Sequence, residues 1–408
     1  MAKTPLPDFT RKADLARLRR IALGSQGLTR KTPFGRGAPG TAKAIDHLGY
    51  IQIDTISVVE RAHHHVLRTR VPNYTPKLLD RLLKQRQIFE HWAHAAAFLP
   101  MQDFRYSLPF KNAIRSGRFR WFRSKDKQLM QDLLQRIDSE GPLRSRDVED
   151  ARGNGAGWWD WKPAKQALEQ LYMQGDLMVC ARDGFQKTYD LPANVIPDGI
   201  DTSTPTANEY AIHLIDQTLR CHGFVSQKGM TYVMRDDALR KAAKEELAAR
   251  LADKQLVAFT IQGSTPYYTT PSLLEQTAPA APSQVKILSP FDNSVIQRER
   301  LQNVFAYDYQ IECYVPEAKR QYGYFCLPIL FRDQFVGRMD CKAHRDKRLL
   351  EIKQLFIEGP TAQEEFLPAL ATSLQEFCDF QGCETLSITS SNPAQFKQAL
   401  TQHLARHT

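Results

Sequence analysis

The stretch WKPAKQALEQLYMQGDLMVCARDGFQKTYDL, residues 161–191, combines two hydrophobic periods. Up to Gly175 the apolar side chains recur at helical spacing, and beyond it they alternate with polar residues around Asp183 and Gly184. An Asp-Gly pair between two alternating segments is typical of a tight hairpin turn. The segment GPLRSRDVED (141–150) just before it resembles a short capped helix. The order helix, helix, hairpin predicts a winged-helix unit.

The same order recurs farther along the chain. A helix over 207–223, a short helix over 226–234 and a helix over 239–254 precede a predicted hairpin at 256–270. Ahead of both copies, the opening region combines helices with a short alternating strand, and it can be read as a third unit of the same kind. The sequence therefore predicts tandem winged-helix units.

A boundary follows these units at LLEQTAPAAPS, an Ala/Pro-rich linker at 273–283. Alternating segments interrupted by Asp and Gly turns come next and predict a small antiparallel barrel. The predicted fold class is α+β. Its parts are winged-helix units at 1–130, 131–200 and 201–275, a β-barrel at 284–360 and a C-terminal helix–strand–helix segment at 361–408.

A polar pair interrupts an apolar run in YIQID, residues 50–54. Ile51 and Ile53 alternate with Gln52 and Asp54, which predicts a half-buried strand with the isoleucines in the core. Gln52 and Asp54 would then share the opposite face, about 7 Å apart along the backbone. Such a pair is either an ordinary solvent-facing side or a functional site.

Three consecutive histidines, His63, His64 and His65, follow Arg61. If the strand resumes there, His63 and His65 share a face. Neighbouring strand residues cannot all bind one ion, and the spacing lacks a HExxH motif, so the pattern does not indicate a metal. Neutral imidazoles that contact a base are the favoured interpretation. A second group, FEHWAH (89–94), adds His94 and is read as a helix whose Trp92 belongs to the core.

The positive charge is concentrated at the N-terminal end. The 408 residues carry a net charge of +10, but residues 1–130 hold 25 Lys+Arg against 9 Asp+Glu. The remaining residues hold 30 basic against 36 acidic side chains, so the whole excess is N-terminal. Such asymmetry indicates that one part of the chain binds a polyanion, with nucleic acid the leading candidate.

The sharpest nucleic-acid signal is SGRFRWFRSKDK, residues 116–127. Its basic side chains alternate with aromatic ones, which is the combination that neutralises phosphates and stacks on bases. The alternative is an amphipathic segment with buried aromatics and solvated arginines. The candidate contacts here are Arg118, Arg120, Arg123 and Lys125.

Several function classes are excluded or weakened. No apolar run approaches the about 18 residues of a membrane span, and the N-terminus lacks the apolar region of a secretory signal. The seven scattered cysteines are expected to be reduced thiols of a cytosolic protein. The sequence has no phosphate-binding glycine loop and no spacing typical of a Ser/His/Asp or Cys/His nucleophile.

Longer motifs carry a family resemblance. The segments IQID (51–54), EHWAH (90–94), SPFDN (289–293), DYQIECYVPEAKRQYGYFCLPIL (308–330) and VGRMDCKAHRD (336–346) occur together with the winged-helix pattern. The chain resembles the bacterial winged-helix DNA glycosylases that unhook interstrand crosslinks, the YcaQ-like proteins. Gln52-Ile53-Asp54 matches the Gln-aliphatic-Asp branch of that family, whereas a sister branch has Gln in place of Asp.

The resemblance implies a function and a site. It implies a C-shaped scaffold of tandem winged helices followed by a β-barrel, and monofunctional hydrolysis of N7-alkylated purine glycosidic bonds without metal or cofactor. Carried over by position, Asp54 and Gln52 are the catalytic pair. Arg61 and the histidines are expected near the lesion or the DNA backbone. The expected partner is damaged duplex DNA, bound by a monomer in the bacterial cytoplasm and not at a membrane.

Two other readings stay open on the sequence. A non-enzymatic winged-helix DNA-binding protein, such as a regulator, also explains the charge and the hairpins. A DNA-binding protein without enzymatic activity would not need Asp54, because an acidic side chain repels the phosphates of its ligand. An RNA-processing protein is weaker still, because an RNP-type aromatic signature is missing.

Overall fold

The computed structural model describes residues 5–92, 95–119, 126–148, 163–359, 361 and 363–405. Within these ranges the strands form four separate sheets, and three of the four are built in the same way. Those three belong to consecutive parts of the chain, and the fourth belongs to the C-terminal part.

An N-terminal strand and helix, β1 (Asp8–Phe9) and α1 (Lys12–Ser25), precede the first unit. The unit consists of α2 (Gly37–Leu48), β2 (Ile51–Gln52), α3 (Ala62–Arg68), α4 (Pro76–Lys84), β3 (Ile88–Trp92) and β4 (Ala96–Pro100). Thr75 precedes Pro76, the first residue of α4, a position that suits proline because its missing N–H would have no partner within the helix. The sheet order is β2-β4-β3, so the short strand pairs with the second strand of the hairpin.

A 3₁₀ helix (Met101–Ser107) and α5 (Leu108–Arg115) lead to the second unit. The second unit contains α6 (Lys127–Glu140), β5 (Leu143–Arg144), α7 (Pro163–Gln174), β6 (Met178–Asp183) and β7 (Gln186–Asp190). After α8 (Pro192–Val195), the third contains α9 (Ala207–His222), β8 (Val225–Ser226), α10 (Gln227–Met230), α11 (Asp237–Ala252), β9 (Val257–Ile261) and β10 (Tyr267–Thr269).

These three units share one sheet topology. The strand orders are β2-β4-β3, β5-β7-β6 and β8-β10-β9, and β1 adds a parallel edge strand to the third sheet. In each unit a helix is followed by a short strand, by one or more helices and by a hairpin that pairs with the short strand. This is the element order of a winged helix. The predicted hairpin turn at Asp183 and Gly184 is confirmed, and Gly184 adopts the positive φ of 60° that the turn requires.

The C-terminal part carries a larger sheet. Its elements are α12 (Pro271–Glu275), β11 (Val285–Ile287), α13 (Arg298–Phe305), β12 (Cys326–Phe331), β13 (Gln334–His344), β14 (Leu349–Ile357), α14 (Gln363–Phe380), β15 (Thr385–Asn392) and α15 (Gln395–Ala405). The strand order is β11-β12-β13-β14-β15, with β14 and β15 parallel.

The predicted small barrel is wrong, because this sheet is open, with β11 and β15 at its two edges. Alternation of apolar and polar residues predicts strands of a half-buried sheet, but it does not show whether the two edge strands pair to close a barrel. A parallel pair needs a crossover connection, and α14 supplies it between β14 and β15. Phe366, Leu370 and Leu374 of α14 join the buried core of the sheet, so the helix covers a face that a barrel would close on itself.

Two local predictions also differ from the structure. The histidine triplet lies on helix α3 and not on a resumed strand, so His63 and His65 do not share a strand face. Phe89 to Trp92 of FEHWAH lie on strand β3 and not on a helix. The strand is stabilised by pairing with β4, which the local sequence does not reveal.

A buried ion pair joins the first unit to the C-terminal part. Arg70, which follows α3, donates to both carboxylate oxygens of Asp292, at 2.6 and 2.9 Å, and both side chains are fully buried. Arg70 also donates to the carbonyl of Gln26 at 2.8 Å. This network fixes the end of α3, and with it the segment that carries the predicted site, against the loop before α13.

Candidate active site

Gln52 lies where the first sheet ends. Strand β2 consists of Ile51 and Gln52, and Ile53 continues the pairing by donating its N–H to the carbonyl of Ala96 at 2.7 Å. Ile51 packs in the core of the first unit, as predicted. Gln52 is only 7% exposed, so it does not lie on an ordinary solvent-facing strand surface.

Asp54 begins the turn by which the chain leaves the sheet. Its Oδ1 accepts a hydrogen bond from the N–H of Ile56 at 2.7 Å, a local bond of the kind that ends a strand. Burial raises the pKa of Asp54, and the Ile56 hydrogen bond opposes that rise. A carboxylate with a raised pKa is a stronger base than an exposed one.

The segment after Asp54 is anchored to the C-terminal part. The N–H of Ala343, in β13, donates to the carbonyl of Val58 at 2.8 Å. Arg345 donates to the carbonyls of Ser57 and Val59 at 3.0 and 3.1 Å. Because these bonds hold the backbone on the far side of Asp54, the carboxylate lies at a fixed junction between the first unit and the large sheet.

Arg61 lies against the wing of the second unit. Its guanidinium carbon is 3.8 Å from the ring centroid of Phe185, which follows Gly184 in the β6–β7 turn. Burial lowers the pKa of Arg61; the charge of Glu60 opposes this effect, and repulsion from Arg345 and Arg182 adds to it. The net positive charge around Arg61 is a favourable setting for a phosphate.

His63 lies two residues after Arg61 and is buried. Its imidazole contacts that of His64, with ring centroids 4.1 Å apart. In the described part of the chain, His63 Nδ1 has no hydrogen-bond partner although it is buried. Burial lowers the pKa of His63 well below its ordinary value, so the ring is neutral at physiological pH.

The other two histidines of the triplet form hydrogen bonds with buried groups of the protein. His64 Nδ1 lies 2.8 Å from the Tyr74 hydroxyl, and His65 Nε2 donates to the carbonyl of Ile287 at 2.9 Å. Burial lowers the pKa of each to about 4. These contacts hold α3 in place, and a contact with the lesion is not proposed for either ring.

Comparison with known families shows to which family the chain belongs. The model of the AlkZ-like DNA glycosylases matches residues 45–380, from within α2 of the first unit to the end of α14. The chain belongs to this family. It is therefore a DNA glycosylase, as the sequence predicts, and the non-enzymatic alternative loses its support.

A solved structure shares the fold of this glycosylase. The Streptomyces sahachiroi DNA glycosylase AlkZ superposes with a TM-score of 0.59 at 15% sequence identity. The match covers 91% of this chain and 98% of the AlkZ chain. The likeness supports the winged-helix-like fold as a whole, beyond the three strand orders described above.

The predicted basic segment lies only partly within the described residues. Arg118 donates to Asp236 at 2.7 Å, and Asp236 also caps α11 of the third unit. Arg118, about half-exposed, is therefore paired with a largely buried aspartate of the third unit. His94, Arg120, Arg123 and Lys125 lie outside the described residues.

Sequence inspection missed several residues that lie against the segment 57–61, which follows Asp54. Phe185 is visible in the sequence as an aromatic directly after a hairpin turn, a position that projects from the sheet. Arg182 and Arg345 lie more than a hundred residues beyond Asp54, so their approach depends on tertiary structure. Arg182 forms a bidentate ion pair with Glu90 of β3, which joins the second unit to the first.

A cavity of about 340 Å³ lies away from Asp54, between the first and third units. Tyr50, Arg118, Tyr210 and Asp236 belong to its lining, whereas Gln52 and Asp54 do not. In the described residues, His, Cys, Asp and Glu form no cluster of three or more that could hold a metal ion. All helices in that part of the chain are too short or too polar to span a membrane.

Proposed function

We propose that this glycosylase hydrolyses the N-glycosidic bond of N7-alkylated purines in duplex DNA, as a monofunctional enzyme of base excision repair. The observation that carries the proposal is the partly buried Asp54, fixed by its bond to Ile56 at the junction of two parts of the molecule. A single carboxylate is sufficient for this substrate. An N7-alkylguanine already carries positive charge, so the base leaves without a general acid, unlike a neutral glycoside.

Asp54 would act in two ways in this reaction. Its negative charge stabilises the oxocarbenium ion that develops as the base departs, and it can accept the proton of the attacking water. We assign Gln52 the role of orienting that water through its amide. The Gln52-Ile53-Asp54 motif contains no lysine, so we expect hydrolysis without a covalent enzyme–DNA intermediate.

Arg61 and His63 would border the lesion. Arg61 is held over Phe185, and a DNA phosphate would offer its guanidinium a partner besides Glu60. The neutral His63 ring has a buried nitrogen without a protein partner, which could bind a water beside the lesion. A crosslinked base cannot be flipped into a closed pocket, because it is tied to the other strand. We therefore extend the proposal to interstrand crosslinks, bound on an open surface by a monomer.

The test is an excision assay on two duplexes. One carries a single N7-methylguanine and the other a nitrogen-mustard crosslink, and alkali after the reaction converts each abasic site into a strand break. We expect breaks at the lesion in both duplexes. The ratio of the two rates gives the preferred lesion, and the lack of breaks in both would overturn the proposal.

The reaction should depend on pH through Asp54. Because burial raises the pKa of Asp54 and the ionised form is the active one, the single-turnover rate should be constant at high pH and fall as pH decreases through that pKa. The midpoint should lie above that of an exposed aspartate. Rates measured from pH 4 to 9, corrected for spontaneous depurination, test this; a flat profile would contradict an ionised Asp54.

A further inference from the structure

Tyr314 has an unusual position for an aromatic side chain. Among the large apolar and aromatic side chains of the described residues it is the most exposed, at 77%. Aromatic rings contribute large buried areas to folding, so a ring held in solvent does little for stability and is available for a ligand. The next most exposed side chain of this group, Val233, is at 51%.

The loop that carries Tyr314 is held firmly in shape. The carboxylate of Glu312 accepts three backbone N–H groups, from Gln321, Tyr322 and Gly323, at 2.8, 2.7 and 3.0 Å. On the other side of Tyr314, Arg320 donates to the carbonyl of Val315 at 2.9 Å. The exposed ring is therefore presented by an ordered loop, which lowers the entropy cost of binding.

Strand β13 contacts both the end of this loop and the segment that follows Asp54. Its residue Asp340 is paired with Cys326, the first residue of β12, and its side chain accepts the N–H of Phe325 at 3.3 Å. Three residues farther along the same strand, Ala343 donates to Val58. The pairing of β12 with β13 thus ends at Asp340, and the segment after Asp54 hydrogen-bonds to the same strand at Ala343. Although most of the Tyr314 side chain is exposed, partial burial raises the pKa of its hydroxyl, and the charges of Cys313 and Asp54 contribute further to that rise.

We propose that the Tyr314 ring stacks on the alkylated purine and recognises its positive charge, opposite the carboxylate of Asp54. The face of an aromatic ring attracts a cation, and stacking on a base requires no particular base edge. Undamaged guanine is neutral and lacks this attraction. The inference rests on the proposed substrate class and adds a binding residue to it, one that discriminates by charge.

Equilibrium binding tests the proposal separately from catalysis. Fluorescence anisotropy would measure the affinity of each protein for two duplexes, identical except for one N7-methylguanine in place of guanine. Stacking energies predict that Tyr314→Ala weakens binding to the damaged duplex about 5- to 150-fold and leaves the guanine duplex unchanged. Tyr314→Phe should keep the preference, because the phenyl face remains. Thermal unfolding of all variants should match that of the original protein.

Tyr232→Ala is the matched control, because Tyr232 is partly exposed on the third unit and should not affect either affinity. Equal binding of the damaged duplex by Tyr314→Ala and the original protein would overturn the inference. So would an equal loss in Tyr314→Phe, which would assign the effect to the hydroxyl. The excision assay run in parallel separates the two proposals. A Tyr314-dependent preference without base release supports the stacking role and overturns the reaction.

Discussion

Asp54→Asn is expected to reduce base release from N7-methylguanine DNA by about 10²- to 10⁴-fold, the range typical of a positioned base. Asparagine has nearly the same shape and can still accept the Ile56 hydrogen bond, so the turn should persist. It carries no charge and accepts no proton from water. The loss should therefore appear in the single-turnover rate at saturating enzyme, and the affinity for DNA should be retained.

Stability distinguishes this effect from misfolding. Because burial raises the pKa of Asp54, its ionised form is disfavoured in the folded protein, so removal of the charge should leave the unfolding free energy unchanged or raise it. Asp80→Asn, on the exposed side of α4, is the matched control and should keep full activity. An Asp54→Asn protein that is folded, binds DNA and still excises at the original rate would exclude Asp54 from catalysis.

Arg70→Met should produce the largest loss of stability, about 3–5 kcal/mol, because it leaves the Asp292 carboxylate buried without its partner. Arg70 and Ser294 lower the pKa of Asp292 against the opposing effect of burial. The stabilisation is therefore present at neutral pH and is lost as pH falls through the Asp292 pKa in the folded protein.

Urea unfolding followed by circular dichroism measures this loss. Arg332→Gln is the comparison, since the Arg332–Glu365 pair is about half-exposed and such pairs contribute about 0–1 kcal/mol. The double variant Arg70→Met/Asp292→Leu removes both charges and should recover part of the lost stability. Equal stabilities of Arg70→Met and Arg332→Gln would contradict a structural role for the buried pair.

The repeated winged-helix order was predictable because it rests on local signals. The helical spacing of Leu168 and Leu171, followed by the Asp183-Gly184 turn, needs no knowledge of the rest of the chain. Gln52 and Asp54 were identified as candidates for the same reason, since a polar pair in an isoleucine run is visible locally. Their roles came from the family resemblance, and they stay predictions.

The errors arose where tertiary structure decides. The histidine triplet interrupts the apolar helical pattern formed by the buried Ala62 and Val66 of α3, so the local sequence predicts a strand there. The open edge of the large sheet depends on α14, which lies beyond the predicted barrel. Arg345 and Phe185 reach the Asp54 segment from distant parts of the chain, so no local pattern could assign them to the site.

Free-base release is the most direct test of the central claim. The protein would be incubated with a duplex that contains one N7-methylguanine, and the products would be separated and identified by mass spectrometry. The account predicts free 7-methylguanine together with an unbroken strand that carries one abasic site, both missing with Asp54→Asn. Tight binding by the original protein with no release of the base would contradict it.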